Sequence, residues 1–281
     1  MKVLVVGHGV MGKNHVRVLE AMGHLVETLD PSLDSGAAHH MLTEDLIART
    51  DVVCVATPID NLATVAAAWL ERGKDVLVEK PGALTAADLS LDRRHAASLG
   101  RRLFVGYTER FNPAVQVLAD HLHRVGHVRH IHVRRLGYAA DRGGDPALDL
   151  ATHDLDVLDA LGFELSMERV VHTGQHVAAL LTADHVLGSC TASALIEASH
   201  LYPSKVRELE VVGDDGVLRL DYQAQTLDLL TGDLRTALFV RKAEPLQREW
   251  EAFFNGDGST GIAALAIAEQ MADAAVLAPT A

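Results

Sequence analysis

The first thirty residues constrain the fold more than any other stretch of the chain. Four apolar residues, 3–6, run directly into the glycine-rich sequence GHGVMG at 7–12. Apolar residues at helical spacing follow, and then a second apolar segment, 25–29, which ends at Asp30. A strand, a glycine-rich turn, a helix, a strand and an acidic residue, in this order, are typical of a dinucleotide-binding βαβ unit.

Each glycine of this turn has its own physical role. Gly7 permits the sharp turn, Gly9 lets backbone amides approach a pyrophosphate, and Gly12 allows the helix and strand to pack closely. The N-terminus of the helix would face the negative phosphates. Asp30 lies 18 residues after Gly12, where a carboxylate can bind both ribose hydroxyls and would repel a 2′-phosphate. Because neither of the next two residues is arginine, the sequence predicts NAD rather than NADP as the cofactor.

Strand-like and helix-like segments alternate up to about residue 108. We predict strands within 51–58, 75–81 and 102–108, and helices through 62–70 and 86–99. This alternation predicts a Rossmann domain, an α/β unit with a doubly wound parallel sheet that binds ligands at the carboxyl ends of its strands. The predicted cofactor-binding residues lie at those ends: Gly7, His8, Gly9, Val10, Met11, Gly12, Asp30, Thr57, Pro58, Asn61, Glu79, Lys80 and Tyr107.

A lysine ends the apolar segment 75–80 and is followed by Pro81. Proline biases the preceding residue away from helical backbone, so Lys80 is expected to be extended at a strand end. One interpretation is a solvated cap on the strand, and the other is a cation placed in an active site. The glycine turn, Asp30 and Thr57 converge on the same edge of the predicted sheet, which favours the active site.

From about residue 128 the chain changes to short alternating runs typical of antiparallel strands. The sequence GDDG at 213–216 predicts a hairpin turn. One helix is expected at 147–162 and another from about 261 to 277. We therefore predict two domains: an NAD-binding Rossmann domain at 1–116, and an α+β domain at 117–281 with a largely antiparallel open sheet for substrate binding and oligomerisation.

Polar side chains share one face of the helix predicted at 147–162. Asp149, His153 and Asp156 are spaced i, i+4 and i+7, away from an apolar stripe. They can form a solvated acidic face. They can also include a proton-transfer pair, in which the carboxylate of Asp149 orients the imidazole of His153 and raises its basicity.

Bulk composition excludes several functions. The chain of 281 residues has 25 Lys+Arg against 38 Asp+Glu, a formal net charge of −13, which argues against nucleic acid as a partner. No apolar stretch approaches the roughly 18 residues of a membrane span, and the first apolar run is too short for a signal peptide. Cys54 and Cys190 are expected to be buried thiols, which favours a reducing, cytoplasmic location. No cysteine pattern predicts a metal site.

Three features together resemble the Gfo/Idh/MocA oxidoreductase family. They are Lys80 in EKP, the run GYTERFNP at 106–113, and the spacing of Asp149 and His153. The resemblance covers essentially the whole chain, and ERFNPAV, DLATHDLDVL, YPSKVRELEVVGDDGVLRLDYQ and EPLQREWEAF occur in the order of the family's UDP-N-acetylglucosamine 3-dehydrogenase-like branch. Two departures are Asn61, where many members have histidine, and the loop 137–146, which differs from the branch's usual proline-rich loop.

The resemblance implies NAD-dependent hydride transfer at a secondary alcohol of a sugar-like ring. It implies His153 as general base, Lys80 as the cation that stabilises the developing alkoxide, and Asp149 as a residue that positions either of them. It also implies a homodimer or homotetramer built sheet to sheet, and a Lys80–Pro81 bond that is often cis. The expected substrate-binding residues are Lys80, Arg110, Asn112, Arg135, Tyr138, Asp149, His153 and Lys205, and the candidates for a substrate phosphate are Arg110, Arg134, Arg135, Arg142, Lys205 and Arg207.

Three functions are compatible with the sequence. The first is a nucleotide-sugar 3-dehydrogenase of the UDP-N-acetylglucosamine type. The second is a cyclitol or aminoglycoside-sugar dehydrogenase, or a ketoreductase that runs the reverse reaction. The third is a non-catalytic NAD-binding regulatory protein, against which the joint presence of Lys80, Asp149 and His153 argues.

Overall fold

The computed structural model of the protein describes residues 1–138, 144–186 and 191–276. Contacts within the chain divide it into two compact units. The first contains 1–108 and 246–262, and the second contains 109–245 and the residues from 263 onward. The linear division expected from the sequence, 1–116 and 117–281, places 246–262 in the second domain, whereas its contacts place it in the first.

The first unit is built on a five-stranded parallel sheet with the order β2-β1-β3-β4-β5. Its strands are β1 Lys2–Val6, β2 Leu25–Leu29, β3 Val52–Val55, β4 Asp75–Glu79 and β5 Leu103–Gly106. The connecting helices are α1 Val10–Ala21, α2 Glu44–Arg49, α3 Ile59–Glu71 and α4 Ala86–Ser98. The predicted doubly wound parallel sheet is confirmed, and its inner strands are apolar at their centres because helices cover such sheets on both faces.

A helix from the C-terminal part of the chain completes the core of this unit. In α7, Pro245–Phe254, the side chains of Leu246, Trp250 and Phe253 recur at i, i+4 and i+7 and are buried. They pack in one cluster with Val3 of β1 and Leu77 of β4. Truncating a buried tryptophan such as Trp250 costs about 3–5 kcal/mol, so α7 is part of this fold's stability.

The second unit contains an eight-stranded sheet with the order β13-β12-β11-β10-β6-β9-β8-β7. Its strands are β6 Val128–Tyr138, β7 Phe163–His172, β8 His176–His185, β9 Thr191–Ser199, β10 Leu201–Gly213, β11 Val217–Asp221, β12 Thr226–Thr231 and β13 Leu234–Leu238. Its helices are α5 Pro113–His121, α6 Thr152–Ala160 and α8 Ile262–Ala272. All neighbouring strands are antiparallel except β6 and β9, which confirms the largely antiparallel open sheet.

The two faces of this sheet differ in chemistry. One face buries apolar side chains such as Ile131 and Val211. The other face carries many charged side chains, since the strands alternate apolar-in and polar-out. Arg134 lies 3.6 Å from Glu197 and 3.3 Å from Glu208 across adjacent strands. Further pairs join Arg219 to Glu210 and Arg235 to Asp228.

Cys54 is a free thiol, buried in β3. Cys190 and Arg142, both singled out on the sequence, lie outside the described residues. In the part of the chain that is described, no helix has the length and apolar character needed to span a membrane.

Candidate active site

The glycine turn connects β1 to α1 at the point where the strand order of the parallel sheet reverses. Gly7 has φ +94°, and a Cβ there would lie 2.4 Å from the carbonyl oxygen of Ala56. A Cβ on Gly12 would lie 1.9 Å from the carbonyl oxygen of Gly7. A Cβ on Gly9 would meet nothing within 4 Å. The first and third glycines are therefore required by the fold, while the second leaves the open space that a pyrophosphate needs.

Asp30 lies at the end of β2, next to this turn. Its Oδ2 accepts a hydrogen bond from the His8 backbone N–H at 2.8 Å, and its Oδ1 accepts one from the Ser32 N–H at 2.9 Å. The bond from His8 lowers the pKa of Asp30, burial opposes that change, and the bond from Ser32 adds to it. Asp30 is thus a carboxylate at neutral pH, able to accept hydrogen bonds from ribose hydroxyls and to repel a 2′-phosphate.

The segments after β3 and around α1 offer groups for a ligand. The buried hydroxyl of Thr57 has no hydrogen-bond partner among the described residues. Buried polar atoms are normally satisfied, so this hydroxyl beside the glycine turn fits a bound polar ligand. Val10 and Met11 are exposed at the start of α1, as are Pro58 and Asn61 at the start of α3. The residues of this edge fit NAD.

Lys80 follows the last residue of β4 at the same edge of the sheet. It is half-buried, and its peptide bond to Pro81 is cis, the form that the resemblance implied. Its backbone N–H donates to Glu79 Oε2 at 3.3 Å. Tyr107, which follows β5, is fully buried. The neighbours of Glu79 include a residue that the sequence did not indicate, since His15 Nε2 lies 2.7 Å from Glu79 Oε1.

In the second unit, the helix predicted at 147–162 consists of two elements. A π-helical turn, Ala147–Ala151, carries Asp149 and continues into α6, which carries His153. Both side chains are half-buried. Asp149 Oδ2 lies 3.3 Å from Nε2 of the buried His200, which connects β9 to β10. Sequence reasoning missed His200 because no local spacing links it to Asp149.

Asp156 was expected on the polar face of that helix, with a solvated acidic face as one alternative, but it is only 1% exposed. Its Oδ2 accepts from Arg110 Nε at 2.9 Å, and Asp159 Oδ2 accepts from Arg110 Nη2 at 2.8 Å. Burial alone would lower the pKa of Arg110, but the two carboxylates outweigh it and raise that pKa. Helical spacing gives the side of a helix that a residue occupies, and not the partner that buries it.

Arg135 is also held by carboxylates in the interior of the second unit. It is 4% exposed, its Nη1 lies 3.2 Å from Glu109 Oε1, and it also pairs with Asp154. Its guanidinium carbon lies 5.0 Å from the ring centroid of Tyr222. The pKa of Tyr222 is well above its ordinary value because the side chain is buried. Asn112 is buried as well, and its Nδ2 donates to the Tyr222 carbonyl at 3.0 Å. Their role in substrate binding stays a prediction.

The remaining basic candidates lie on β10. Lys205 is exposed, like Tyr138 at the end of β6. Arg207 is half-buried and donates to the carbonyl oxygens of Val206, at 2.7 Å, and Leu136. Burial and then the charge of Arg135 lower the pKa of Arg207, and the charges of Asp154, Glu109 and Asp149 act in the opposite direction. Within the described residues, no carboxylate forms an ion pair with Arg207.

The predicted site residues divide between the two units. All the cofactor-binding residues lie within 1–108, and all the substrate-binding residues except Lys80 lie within 109–245. Among the residues described, no group of three or more His, Cys, Asp and Glu side chains is arranged to hold a metal ion. The first unit carries the glycine turn and Lys80, and the second carries Asp149 beside the imidazole of His200.

Comparison with known proteins tests the family. Residues 1–107 match the oxidoreductase family model named GFO_IDH_MocA, described as an NAD-binding Rossmann fold. These residues form a Gfo/Idh/MocA oxidoreductase domain. The NAD-binding domain and the Rossmann fold expected from the glycine turn are confirmed, and the family resemblance is confirmed for residues 1–107.

Two relatives extend the comparison beyond this Gfo/Idh/MocA domain. Inositol 2-dehydrogenase 1 of Saccharopolyspora erythraea is 40% identical over 130 residues, which are 41% of this chain and 39% of that protein. UDP-N-acetylglucosamine 3-dehydrogenase of Acidithiobacillus ferrooxidans is 25% identical over 96% of both chains. A solved structure of the latter has a TM-score of 0.86 at 24% identity and covers 98% of both chains, so the fold is shared from end to end. The relatives are dehydrogenases, the class of enzyme that the sequence predicts.

Proposed function

We propose that the protein is an NAD-dependent dehydrogenase that transfers hydride between nicotinamide and a secondary alcohol of a sugar-like ring. The observation that carries this proposal is the position of Lys80, a half-buried cation at the same sheet edge as the glycine turn and the ionised Asp30. We further propose a nucleotide sugar of the UDP-N-acetylglucosamine type as the substrate, oxidised at carbon 3. The relative with that activity aligns with 96% of this chain.

The proposed chemistry is oxidation of an alcohol to a ketone. NAD, when bound, accepts the hydride that leaves the alcohol carbon. His153 receives the hydroxyl proton as general base, and the Lys80 ammonium stabilises the alkoxide as it forms. Asp149 carries the charge that orients the base, and His200 in turn fixes Asp149 at 3.3 Å. The alcohol thus loses a hydride and a proton, and the new C=O bond balances both.

Arg207 and Lys205 support a phosphorylated substrate. A protein with a formal net charge of −13 needs a local cluster of positive charge to bind a sugar nucleotide. Carboxylates already form ion pairs with Arg110 and Arg135, whereas Arg207 donates to carbonyl oxygens and has no ion pair with a described carboxylate. Guanidinium groups suit phosphate because their planar fork matches its oxygens. We assign the diphosphate to Arg207 and Lys205.

A cyclitol is the second candidate substrate. It is favoured by one observation, the 40% identity to an inositol 2-dehydrogenase over 130 residues. A cyclitol has no phosphate, so it gives Arg207 and Lys205 no function. The two candidates therefore differ in a side-chain requirement that can be tested.

The experiment measures NADH absorbance with the purified protein, NAD, and one of three compounds: UDP-N-acetylglucosamine, N-acetylglucosamine or myo-inositol. We expect turnover with the UDP-sugar, and we expect Arg207→Met to raise its KM while the Kd of NADH stays unchanged. Turnover with myo-inositol alone, unaffected by Arg207→Met, would establish the cyclitol reading. Tight NADH binding without any turnover across a wider panel of sugars and cyclitols would support a non-catalytic NAD-binding protein.

We also propose a homodimer or homotetramer and a reducing, cytoplasmic location. The first is supported by the broad outward face of the eight-stranded sheet, where Leu180 and Val171 are exposed. The second is supported by the free, buried thiol of Cys54.

A further inference from the structure

Three buried side chains form a chain of hydrogen bonds next to the turn that carries Lys80. The indole N–H of Trp250, on α7, donates to His15 Nδ1 at 3.0 Å. His15, on α1, places its Nε2 2.7 Å from Oε1 of Glu79, the last residue of β4. His15 and Trp250 are 0% exposed, and Glu79 is 8% exposed. Three separate elements of the first unit therefore meet through polar atoms in the core.

The chemistry of the three groups fixes where the protons lie. An indole N–H can only donate, so Nδ1 of His15 must accept and carries no proton. The ring proton then lies on Nε2, from which it is donated to Glu79. His15 is thus a neutral imidazole in the Nε2–H tautomer, and Glu79 is the accepting carboxylate.

Glu79 links this series of hydrogen bonds to the backbone on both sides of Pro81, in the turn that carries Lys80. Its Oε2 accepts from the Lys80 backbone N–H at 3.3 Å, and its carbonyl oxygen accepts from the Gly82 N–H at 3.0 Å. The other end of the connection is α1, whose N-terminus begins at the glycine turn for the cofactor. The hydrogen bonds therefore link the phosphate-binding helix, α7 and the lysine turn.

We infer that His15 and Trp250 are positioning residues for Lys80, acting through Glu79 to hold the lysine in register with the cofactor-binding helix. The inference rests on the proposed function for the catalytic use of Lys80. A role in packing alone would need no polar atoms, because an apolar core of the same shape is at least as stable. Burying the carboxylate of Glu79 and the imidazole of His15 is explained if their hydrogen bonds hold the turn of Lys80 in a fixed position.

Two more titratable groups lie in the same part of the core, Cys54 on β3 and Glu249 on α7, both buried. Burial raises the pKa of Cys54, and the nearby charges of Glu79 and Glu249 raise it further. The N–H of Trp250 occupies Nδ1 of His15 and so keeps the ring proton on Nε2, where it is donated to Glu79. Trp250→Phe removes this bond and leaves Nδ1 without its donor.

The first test uses ¹⁵N NMR of the histidine ring and does not depend on turnover. In the unaltered protein, His15 should show the Nε2–H tautomer, and in Trp250→Phe the Nδ1 resonance should move because that nitrogen loses its hydrogen bond. A ring with its proton on Nδ1 in the unaltered protein, or an Nδ1 resonance that is the same in Trp250→Phe, would overturn the inference. Absence of dehydrogenase turnover in the unaltered protein would count against the proposed function alone.

The second test uses kinetics. His15→Leu removes both hydrogen bonds and should lower kcat about 10–100-fold with little change in substrate KM, the range expected for hydrogen bonds to a charged group. His15→Gln keeps a donor for Glu79 and should recover much of kcat. Phe253→Leu is the matched control, since it weakens the same core cluster without touching these bonds.

We expect Phe253→Leu to lower the Tm and to leave kcat, measured well below that Tm, near the unaltered value. The inference is wrong if Phe253→Leu lowers kcat as much as His15→Leu at a similar loss of stability. It is also wrong if His15→Gln is no better than His15→Leu.

Discussion

At the scale of single residues, Asp30 has the most direct consequence for the cofactor. Asp30→Ala removes the carboxylate that would bind the ribose hydroxyls and repel a 2′-phosphate. We expect the ratio of kcat/KM for NAD to that for NADP to fall about 10–100-fold, the worth of hydrogen bonds to a charged group. Asp34→Ala, an exposed acid on the following turn, is the control and should leave the ratio unchanged. Equal or tighter binding of NADP by the unaltered protein would contradict the assignment.

Lys80 and His153 are expected to act on the same substrate oxygen. Lys80→Ala should lower kcat by about 10²–10³-fold, typical of losing one preorganised donor. His153→Ala should lose activity that returns in part at high pH, because hydroxide can replace the missing base. The double variant should lose less than the product of the two single losses.

Steady-state kinetics of the three variants decide this prediction. A double-variant loss equal to that product means independent residues and rejects the shared-oxygen mechanism. If Lys80 only caps a strand, Lys80→Ala will leave both turnover and NAD binding nearly intact.

The sequence indicates some of these residues and hides others for a physical reason. Gly7, Asp30 and Lys80 lie in local patterns, where the turn and the strand end dictate the residue type. His15 and Trp250 are joined across 235 positions, so no window of sequence contains both. His200 likewise reaches Asp149 only through the folded sheet. Which side chains form hydrogen bonds with each other is determined by the tertiary structure and cannot be read from the local sequence.

At the scale of elements, two glycines of the same turn have different roles: Gly12 is needed for folding, and Gly9 for binding the cofactor. Gly12→Ala places a Cβ 1.9 Å from the Gly7 carbonyl oxygen, so we expect a clear fall in Tm and loss of NAD binding. Gly9→Ala meets no atom within 4 Å and has φ −75°, so the Tm should hardly change. The added methyl group should nevertheless weaken NAD binding, since it occupies the space for the pyrophosphate. Thermal melts and NADH titrations of both variants provide the check.

If Gly9→Ala binds NADH as tightly as the unaltered protein, the pyrophosphate does not approach this turn. If Gly12→Ala melts at the unaltered temperature, the close packing of α1 on β1 is not needed for the fold.

The strands of the parallel sheet and the hairpin at 213–216 could be predicted because apolar runs and turn residues mark them. The apolar spacing of Leu246, Trp250 and Phe253 is enough to predict that α7 is a helix with one buried face. It does not show that this face packs in the first unit. The π-helical turn at 147–151 could not be predicted, since the same residues fit an α-helix.

At the scale of the whole molecule, the buried thiol predicts a loss of stability at high pH. Burial raises the pKa of Cys54, so above about pH 9 the unfolded chain releases this proton while the native state keeps it. The free energy of unfolding then falls by up to about 1.4 kcal/mol per pH unit. Cys54→Ala should flatten this dependence between pH 9 and 10.5.

Denaturant unfolding followed by tryptophan fluorescence is a suitable measurement, because Trp69 and Trp250 are the chain's two tryptophans and both lie in the first unit. Equal slopes for Cys54→Ala and the unaltered protein above pH 9 would show that this thiol does not contribute.

The outward face of the eight-stranded sheet predicts assembly. Light scattering at micromolar concentration should give the mass of a dimer or tetramer. Leu180→Arg adds a charge to an exposed apolar position on this face and should reduce the mass. Leu91→Arg, at a similarly exposed leucine on α4, should not. A monomeric unaltered protein would rule out the assembly.

The position of α7 sets the order in which the protein can mature during synthesis. The ribosome makes the five strands of the cofactor-binding unit first, yet Trp250 and Phe253 emerge only after almost all of the other unit has been made. Until then, the apolar surface that they cover on the nascent sheet has no partner from its own chain. The unit whose translation begins first therefore stays incomplete until α7 has been made, and the growing chain has to be protected from aggregation until then.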